Sequence, residues 1–304
     1  MAYAFFEGEI VPIEEAKVSV RTQALHYGTS CFAGIRGFWN EEQEQLFVFR
    51  ILDHYERFLD STKLLRMSLP YSAQDLADIT LRLLRQEEYR EDVYIRPLGY
   101  KASEGIGCQL HGLRDEVTIF ADPYGQYMKS EGAHVTFSSW RRVDDNAIPP
   151  RGKIGGAYAS SALIKSDAVL NGFDEALVLT ADGHLAEGSA MNVFVVRRGV
   201  ASTPLVTDNI LEGVTRRTVI RLLQDELGME PVERSIDRSE VYLADEVFFC
   251  GTGAQVVSVT HVDQRAIGSG QTGPITERMR VLHDDVVRGR CEPYRRWCTP
   301  VYDD

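Results

Sequence analysis

The sequence predicts an α+β protein in two domains. Three observations predict it. A chain of 304 residues with 44% hydrophobic content is longer than one core usually organises. Helical stripes and strand-like runs alternate in the first half. The second half carries an Asp-Gly hairpin signal in place of the regular βαβα order of a doubly wound sheet.

Taken in order, the first helix is expected at "DHYERFLDSTKLLR", residues 53 to 66, with an Asp cap and with Tyr55, Phe58, Leu59, Thr62 and Leu65 on one stripe. "SAQD" reads as a capping box, and Leu76, Ile79 and Leu83 form the stripe of the helix behind it. Strands follow at "VYIRPLGY" and "EVTIFADP". Pro, Gly and polar residues in "ADPYGQYMKSEGAH" mark a linker, giving domains at 1–123 and 133–304 joined by 124–132. The second half opens with the strand "HVTFSSW" and a helix after Gly155-Gly156. "EALVLTADGHLAEGSAMNVFVV" then reads as a hairpin turning at Asp182-Gly183. A helix covers 215 to 227, with Val219, Leu222, Leu223 and Leu227 on one face, and stops at Gly228.

Composition narrows the function. The balance of 33 basic against 45 acidic side chains, net −12, argues against nucleic acid or an anionic membrane as a partner. The N-terminus carries Glu7 and Glu9 with no basic region, and no run approaches the ~18 apolar residues of a membrane span. Cys31, Cys108, Cys250, Cys291 and Cys298 are odd in number and scattered, which suits reduced thiols. A cytoplasmic protein is expected. No nucleophile elbow, zinc helix or Walker motif is present, and no metal site is expected. "GTGAQV" has Val256 where a dinucleotide loop needs its third glycine.

"IPPRGKIGGAYASS", residues 148 to 161, sets Lys153 among prolines, glycines and small residues. Most lysines are solvated surface charges, but a lysine that is desolvated or near other cations becomes a nucleophile, most often toward an aldehyde cofactor. Tyr94 and Arg96, two apart in a strand, share a face that pairs an aromatic with a cation. "LEGVTRRTVIRLLQDELG" offers a glycine followed by a helix N-terminus, a ready anion site.

Beyond these local readings, the chain resembles the class IV, fold-type IV, pyridoxal-phosphate-dependent aminotransferases, and most of all the branched-chain amino acid aminotransferases. The resemblance rests on "ALHYGTSCFAGIR", "HYERFLDSTK", "YIRP", "GKIGGAYASS", "LAEGSAMNVFVV", "LEGVTRR", "YLADEVFFCGTGAQ" and the tail "YRRWCTPV", in order and almost end to end. It implies a small N-terminal α/β domain and a larger C-terminal domain with a barrel-like β core, binding pyridoxal 5′-phosphate. Lys153 is then the Schiff-base lysine, and Glu187 the carboxylate that keeps the ring nitrogen protonated. Arg57, Val214, Thr215 and Thr252 hold the phosphate, Tyr158 meets the phenolic oxygen, and Leu211 completes the cofactor's surroundings. For the substrate, the resemblance implies Tyr27, Phe32 and Gly34 as an apolar wall, with Arg36 beside them. Arg96 serves the γ-carboxylate of glutamate and 2-oxoglutarate with Tyr94 projecting beside it, Tyr127 lies at the domain interface, and Thr252, Gly253 and Ala254 offer amides to the α-carboxylate.

The implied activity is ping-pong transfer of the amino group of leucine, isoleucine or valine to 2-oxoglutarate by a homodimer or higher homo-oligomer. The apolar loop "GIGCQLHGL", 105 to 113, is expected to cross to the neighbouring subunit. D-amino acid aminotransferase and aminodeoxychorismate lyase share the fold, and the intact "YIRP" argues against both. A non-catalytic cofactor-binding relative is disfavoured by the presence of both Lys153 and Glu187. The chain departs from the family pattern at Ala33, where an acidic residue is expected, at Gly105-Ile106-Gly107-Cys108, and at Tyr124 in place of a tryptophan. The smaller side chain at 33 opens a side activity on (R)-configured primary amines.

Overall fold

The computed structural model describes residues 2–125 and 132–302. Their contacts divide them into two compact units, of which the first holds residues up to Gly125, Gly152–Ala157 and the chain from Asp285 onward. The second holds the described residues from 132 to Arg151 and Tyr158–Asp284. The units are thus not contiguous in sequence, unlike the 133–304 domain expected above. Strand Cys298–Pro300 explains the return at the C-terminal end, because it pairs antiparallel with Gln45–Phe49.

In the first unit, eight strands among the described residues form one sheet. Val93–Lys101 lies centrally, antiparallel to Ile35–Asn40, to Ser30–Phe32 and to Asp115–Pro123. Its burial alternates over the first residues: Val93, Ile95 and Pro97 are buried while Tyr94, Arg96 and Leu98 are only partly so. That is the signature of a strand with one face in the core. Helix Ile51–Leu64 buries Ile51, Tyr55, Phe58 and Thr62, close to the expected stripe, but it begins two residues earlier. Asp53 is not its cap: Arg50, with φ 48°, occupies that position and takes both Asp53 oxygens at 2.9 and 2.8 Å. Helix Ala73–Glu87 begins on the full capping box of Ser72 and Asp75.

The second unit is built on nine strands among its described residues, from Leu185–Gly188 at one end of the path to Val232–Glu233 at the other. The path does not return on itself, so the barrel-like core is a half-barrel. Val135, Leu177, Leu185, Val193, Val247, Phe249 and Val259 fill it. Glu175–Leu179 and Leu185–Gly188 form the hairpin read from the sequence, with Gly183 at φ 97° in the turn. Asn192–Arg197 pairs with Glu246–Gly251 instead of extending that hairpin. Helix Val214–Leu227 ends on Gly228 in the left-handed conformation. Two antiparallel strands, Glu246–Gly251 and Gln255–Val262, flank "GTGAQV", so no helix follows it and a dinucleotide loop is ruled out.

Candidate active site

The segment around Lys153 lies against the strand that carries Phe32. Phe32 N–H donates to the Lys153 carbonyl at 3.0 Å, Cys31 and Ile154 form an antiparallel bridge, and Gly156 N–H donates to Gly28 O at 3.1 Å. This backbone contact is why the segment is so rich in small residues. A Cβ on Gly155 would stand 2.3 Å from Ser30 Oγ, and one on Gly28 would stand 2.7 Å from Gly156 Cα. Lys153 N–H donates to Ser61 Oγ at 3.1 Å, and Ser61 Oγ donates to the Arg57 carbonyl at 2.9 Å. The lysine's backbone is therefore hung from the helix that carries Arg57.

Beyond that anchor, one ring organises the first unit's candidate residues. The Lys153 ammonium lies 4.9 Å from the centroid of Phe32, and the Arg96 guanidinium lies 4.7 Å from it. Both cations therefore rest on a single apolar ring, an arrangement favoured by the ring quadrupole. Arg96 Nη2 also donates to Tyr94 Oη at 3.3 Å, so the two residues do share a strand face. Gly34 is required by Tyr94, whose Oη would be 1.9 Å from any Cβ there.

Arg36 is nearly fully buried, stacked on Phe38 and Tyr124 at 4.8 and 5.2 Å, with Nη2 on the Tyr124 carbonyl at 2.8 Å. Burial pushes its guanidinium below the ordinary value, and Asp92 opposes this. Asp92 is itself fixed by two bonds of 2.9 Å from Arg288. Tyr27 belongs to a different element from Phe32. It is 38% exposed on the short helix Gln23–Tyr27, and its hydroxyl accepts from Gly107 N–H at 3.0 Å. Tyr127 lies outside the described residues.

The second unit, taken by itself, holds a buried carboxylate and a helix N-terminus. Glu187 is 3% exposed on strand Leu185–Gly188. Its Oε1 meets Arg142 Nη2 at 2.9 Å, and its Oε2 accepts from Asn192 Nδ2 and from Leu211 N–H, each at 3.1 Å. A glutamate of a solvated turn would have none of these. Asn192 Nδ2 also donates to the Leu211 carbonyl at 2.9 Å, while its Oδ1 would be 2.1 Å from a Cβ on Gly213. Val214 and Thr215 are buried and open the helix, whose N-cap Gly213 offers no side-chain hydrogen bond and whose first turn holds no acidic residue. Thr252, Gly253 and Ala254 form the turn between Glu246–Gly251 and Gln255–Val262. Tyr158 is the first residue of helix Tyr158–Leu170.

The groups of the second unit fit pyridoxal phosphate. A buried, oriented carboxylate suits a protonated ring nitrogen. An uncapped helix N-terminus behind a glycine suits a phosphate. Ser61, Asn192 and Arg142 were not singled out from the sequence. Asn192 was legible in principle, five residues after Glu187 in "AEGSAMN". Arg142 was not, because nothing in "SSWRR" distinguishes it from a solvated arginine.

Comparison with known proteins decides the family. The family model described as amino-transferase class IV matches residues 38–262. The chain belongs to the class IV aminotransferases. Over 304 residues, all of this chain and 98% of the relative, it is 49% identical to a probable branched-chain-amino-acid aminotransferase of Aquifex aeolicus. The crystal structure of the branched-chain aminotransferase of the thermophilic archaeon Thermoproteus uzoniensis with norvaline is 42% identical, with a TM-score of 0.95 and 99% of both chains covered. That of the branched-chain amino acid aminotransferase of Thermobaculum terrenum in its PLP holo-form is 38% identical, with a TM-score of 0.95 and 99% of both chains covered. No helix among the described residues of this aminotransferase is long and apolar enough to cross a membrane.

Proposed function

We propose that this aminotransferase uses pyridoxal 5′-phosphate to transfer the amino group of leucine, isoleucine and valine to 2-oxoglutarate. The observation that carries this reading is the packing of Lys153 and Arg96 against one Phe32 ring. A reacting amine and a carboxylate receptor flank an apolar surface, as alternating aliphatic and dicarboxylate substrates require. Full-length likeness to branched-chain enzymes supports it.

Bound pyridoxal phosphate supplies an aldehyde and an electron-withdrawing ring. Lys153 Nζ would be the amine that holds that aldehyde and the base that moves the proton from the substrate's Cα. Glu187 accepts the ring N–H. Arg57, Thr252, the amides of Val214 and Thr215 and the Thr215 hydroxyl receive the phosphate, with Leu211 alongside, and Tyr158 meets the phenolic oxygen. Phe32 and Gly34 line the aliphatic side, Tyr94 and Arg96 take the distal carboxylate with Arg36 behind, and the turn of Thr252, Gly253 and Ala254 takes the α-carboxylate.

The working form is a homodimer. Ile106, Val20 and Leu25 are 99%, 77% and 66% exposed, and Tyr27 is tied to the same loop through Gly107. An apolar surface of this kind calls for cover by another subunit. The small, uncharged side chain of Ala33 motivates a second reading in which (R)-configured primary amines react weakly. Single half-reactions with L-leucine, L-glutamate, D-alanine and an (R)-arylalkyl amine, on wild type and Ala33→Glu, test both. L-Leucine and L-glutamate are expected to react fastest. A lead for D-alanine would refute the branched-chain reading. An (R)-amine rate that is absent in wild type removes the second.

A further inference from the structure

We propose that Arg142 is a positioning residue that aims the Glu187 carboxylate at the ring nitrogen of the bound cofactor, an inference resting on the role proposed above for Glu187. Arg142 follows directly on strand Ala133–Arg141, and its backbone is fixed by its N–H on the Leu179 carbonyl at 2.8 Å. From that root the guanidinium forks. Nε donates to the Asn209 carbonyl at 2.8 Å, and Nη2 pairs with Glu187 Oε1 at 2.9 Å. The two side chains are 12% and 5% exposed, so the pair is shielded from water and weakly screened.

Asn192 and the Leu211 amide hold the other oxygen, Oε2. Donors from three separate stretches of chain thus act on the two oxygens, and together they set the torsion of the carboxylate. Asn209 stands at φ 59° just ahead of the stretch 210–213 that leads to the helix at Val214. One guanidinium therefore ties the carboxylate to the loop that feeds the phosphate-facing helix. A lysine cannot make both contacts from one nitrogen position, whereas the planar fork of arginine can.

Charge and position make opposite predictions here. Removing the cation alone would favour a protonated ring, since a positive neighbour disfavours a second positive charge. Releasing the carboxylate from its direction would do the reverse.

The test compares wild type, Arg142→Gln and Arg142→Lys, each loaded with pyridoxal phosphate carrying ¹⁵N in the ring and observed by NMR. The deamination half-reaction with L-leucine is followed in parallel, in the native and the Glu187→Gln backgrounds. In Arg142→Gln the ring-nitrogen signal is expected to move toward the unprotonated form. The half-reaction should slow about tenfold or more with little change in substrate affinity. Arg142→Lys should recover part of both, and it carries the test alone if Arg142→Gln fails to fold. In the Glu187→Gln background the Arg142 substitution should add almost nothing. A ring signal that stays put or becomes more protonated overturns the proposal, as does an equal loss of rate in both backgrounds. Wild-type protein that retains no labelled cofactor contradicts the functional reading and this inference with it; a normal wild-type signal with unaltered variants overturns the positioning role alone.

Discussion

The roles proposed for Glu187 and Arg96 can be separated most cleanly by substitution. Glu187→Gln preserves the volume and the hydrogen bonds from Asn192 and Leu211 in part, while removing the anion. It is expected to keep bound cofactor and to lose most of kcat, because the ring then lacks its carboxylate partner; unchanged turnover would remove Glu187 from that role. In the proposed role of Arg96, Arg96→Ala deletes a charge-assisted contact worth about 1.5 to 3 kcal/mol to a carboxylate, roughly tenfold to more than a hundredfold in kcat/KM. Stopped-flow absorbance should show that loss with L-glutamate and 2-oxoglutarate far more than with L-leucine. Equal slowing of both substrates would contradict the γ-carboxylate assignment. Burial pushes the thiols of Cys31, Cys250 and Cys298 up to about 12. All three should therefore resist alkylation at neutral pH in the folded protein and react only on unfolding, which mass spectrometry of labelled peptides can follow.

Elements were more legible than their joints. The period-2 face of Val93–Lys101 and the Ser72–Asp75 capping box are local patterns, and the structure has both. Replacing Ser72 by Ala should cost about 1 kcal/mol, read from the denaturant midpoint. The start of helix Ile51–Leu64 was missed because Arg50 competes for Asp53, an interaction with no sequence signature. The small residues around Lys153 were visible, but their reason was not. It lies in the approach of 152–156 to 28–32, about 125 residues away in sequence. Gly28 has φ 64° and faces Gly156 Cα. Gly28→Ala should accordingly lower the thermal midpoint, through a left-handed cost of about 1 to 2 kcal/mol and the collision added to it. It should also weaken cofactor retention by displacing the Lys153 segment. A variant as stable and as well loaded as wild type would contradict this account of the segment.

At the scale of the whole molecule, the chain from Asp285 onward belongs with the N-terminal unit, held by strand Cys298–Pro300 and by the Arg288–Asp92 pair. Hydrophobic patterning reveals which face of a strand is buried, but it is blind to which distant strand covers it, so this return could not be read from the sequence. The roles assigned to single residues were carried by family resemblance more than by spacing, and Arg142, which lies in none of the resembling motifs, came only from the structure. The central claim is that Lys153 is the lysine that reacts with the cofactor. Borohydride reduction of the purified holoprotein followed by peptide mapping tests it most directly. The account predicts a yellow protein that bleaches on reduction and carries the phosphopyridoxyl group on Lys153; recovery of that group on any other lysine, or on none, would contradict it.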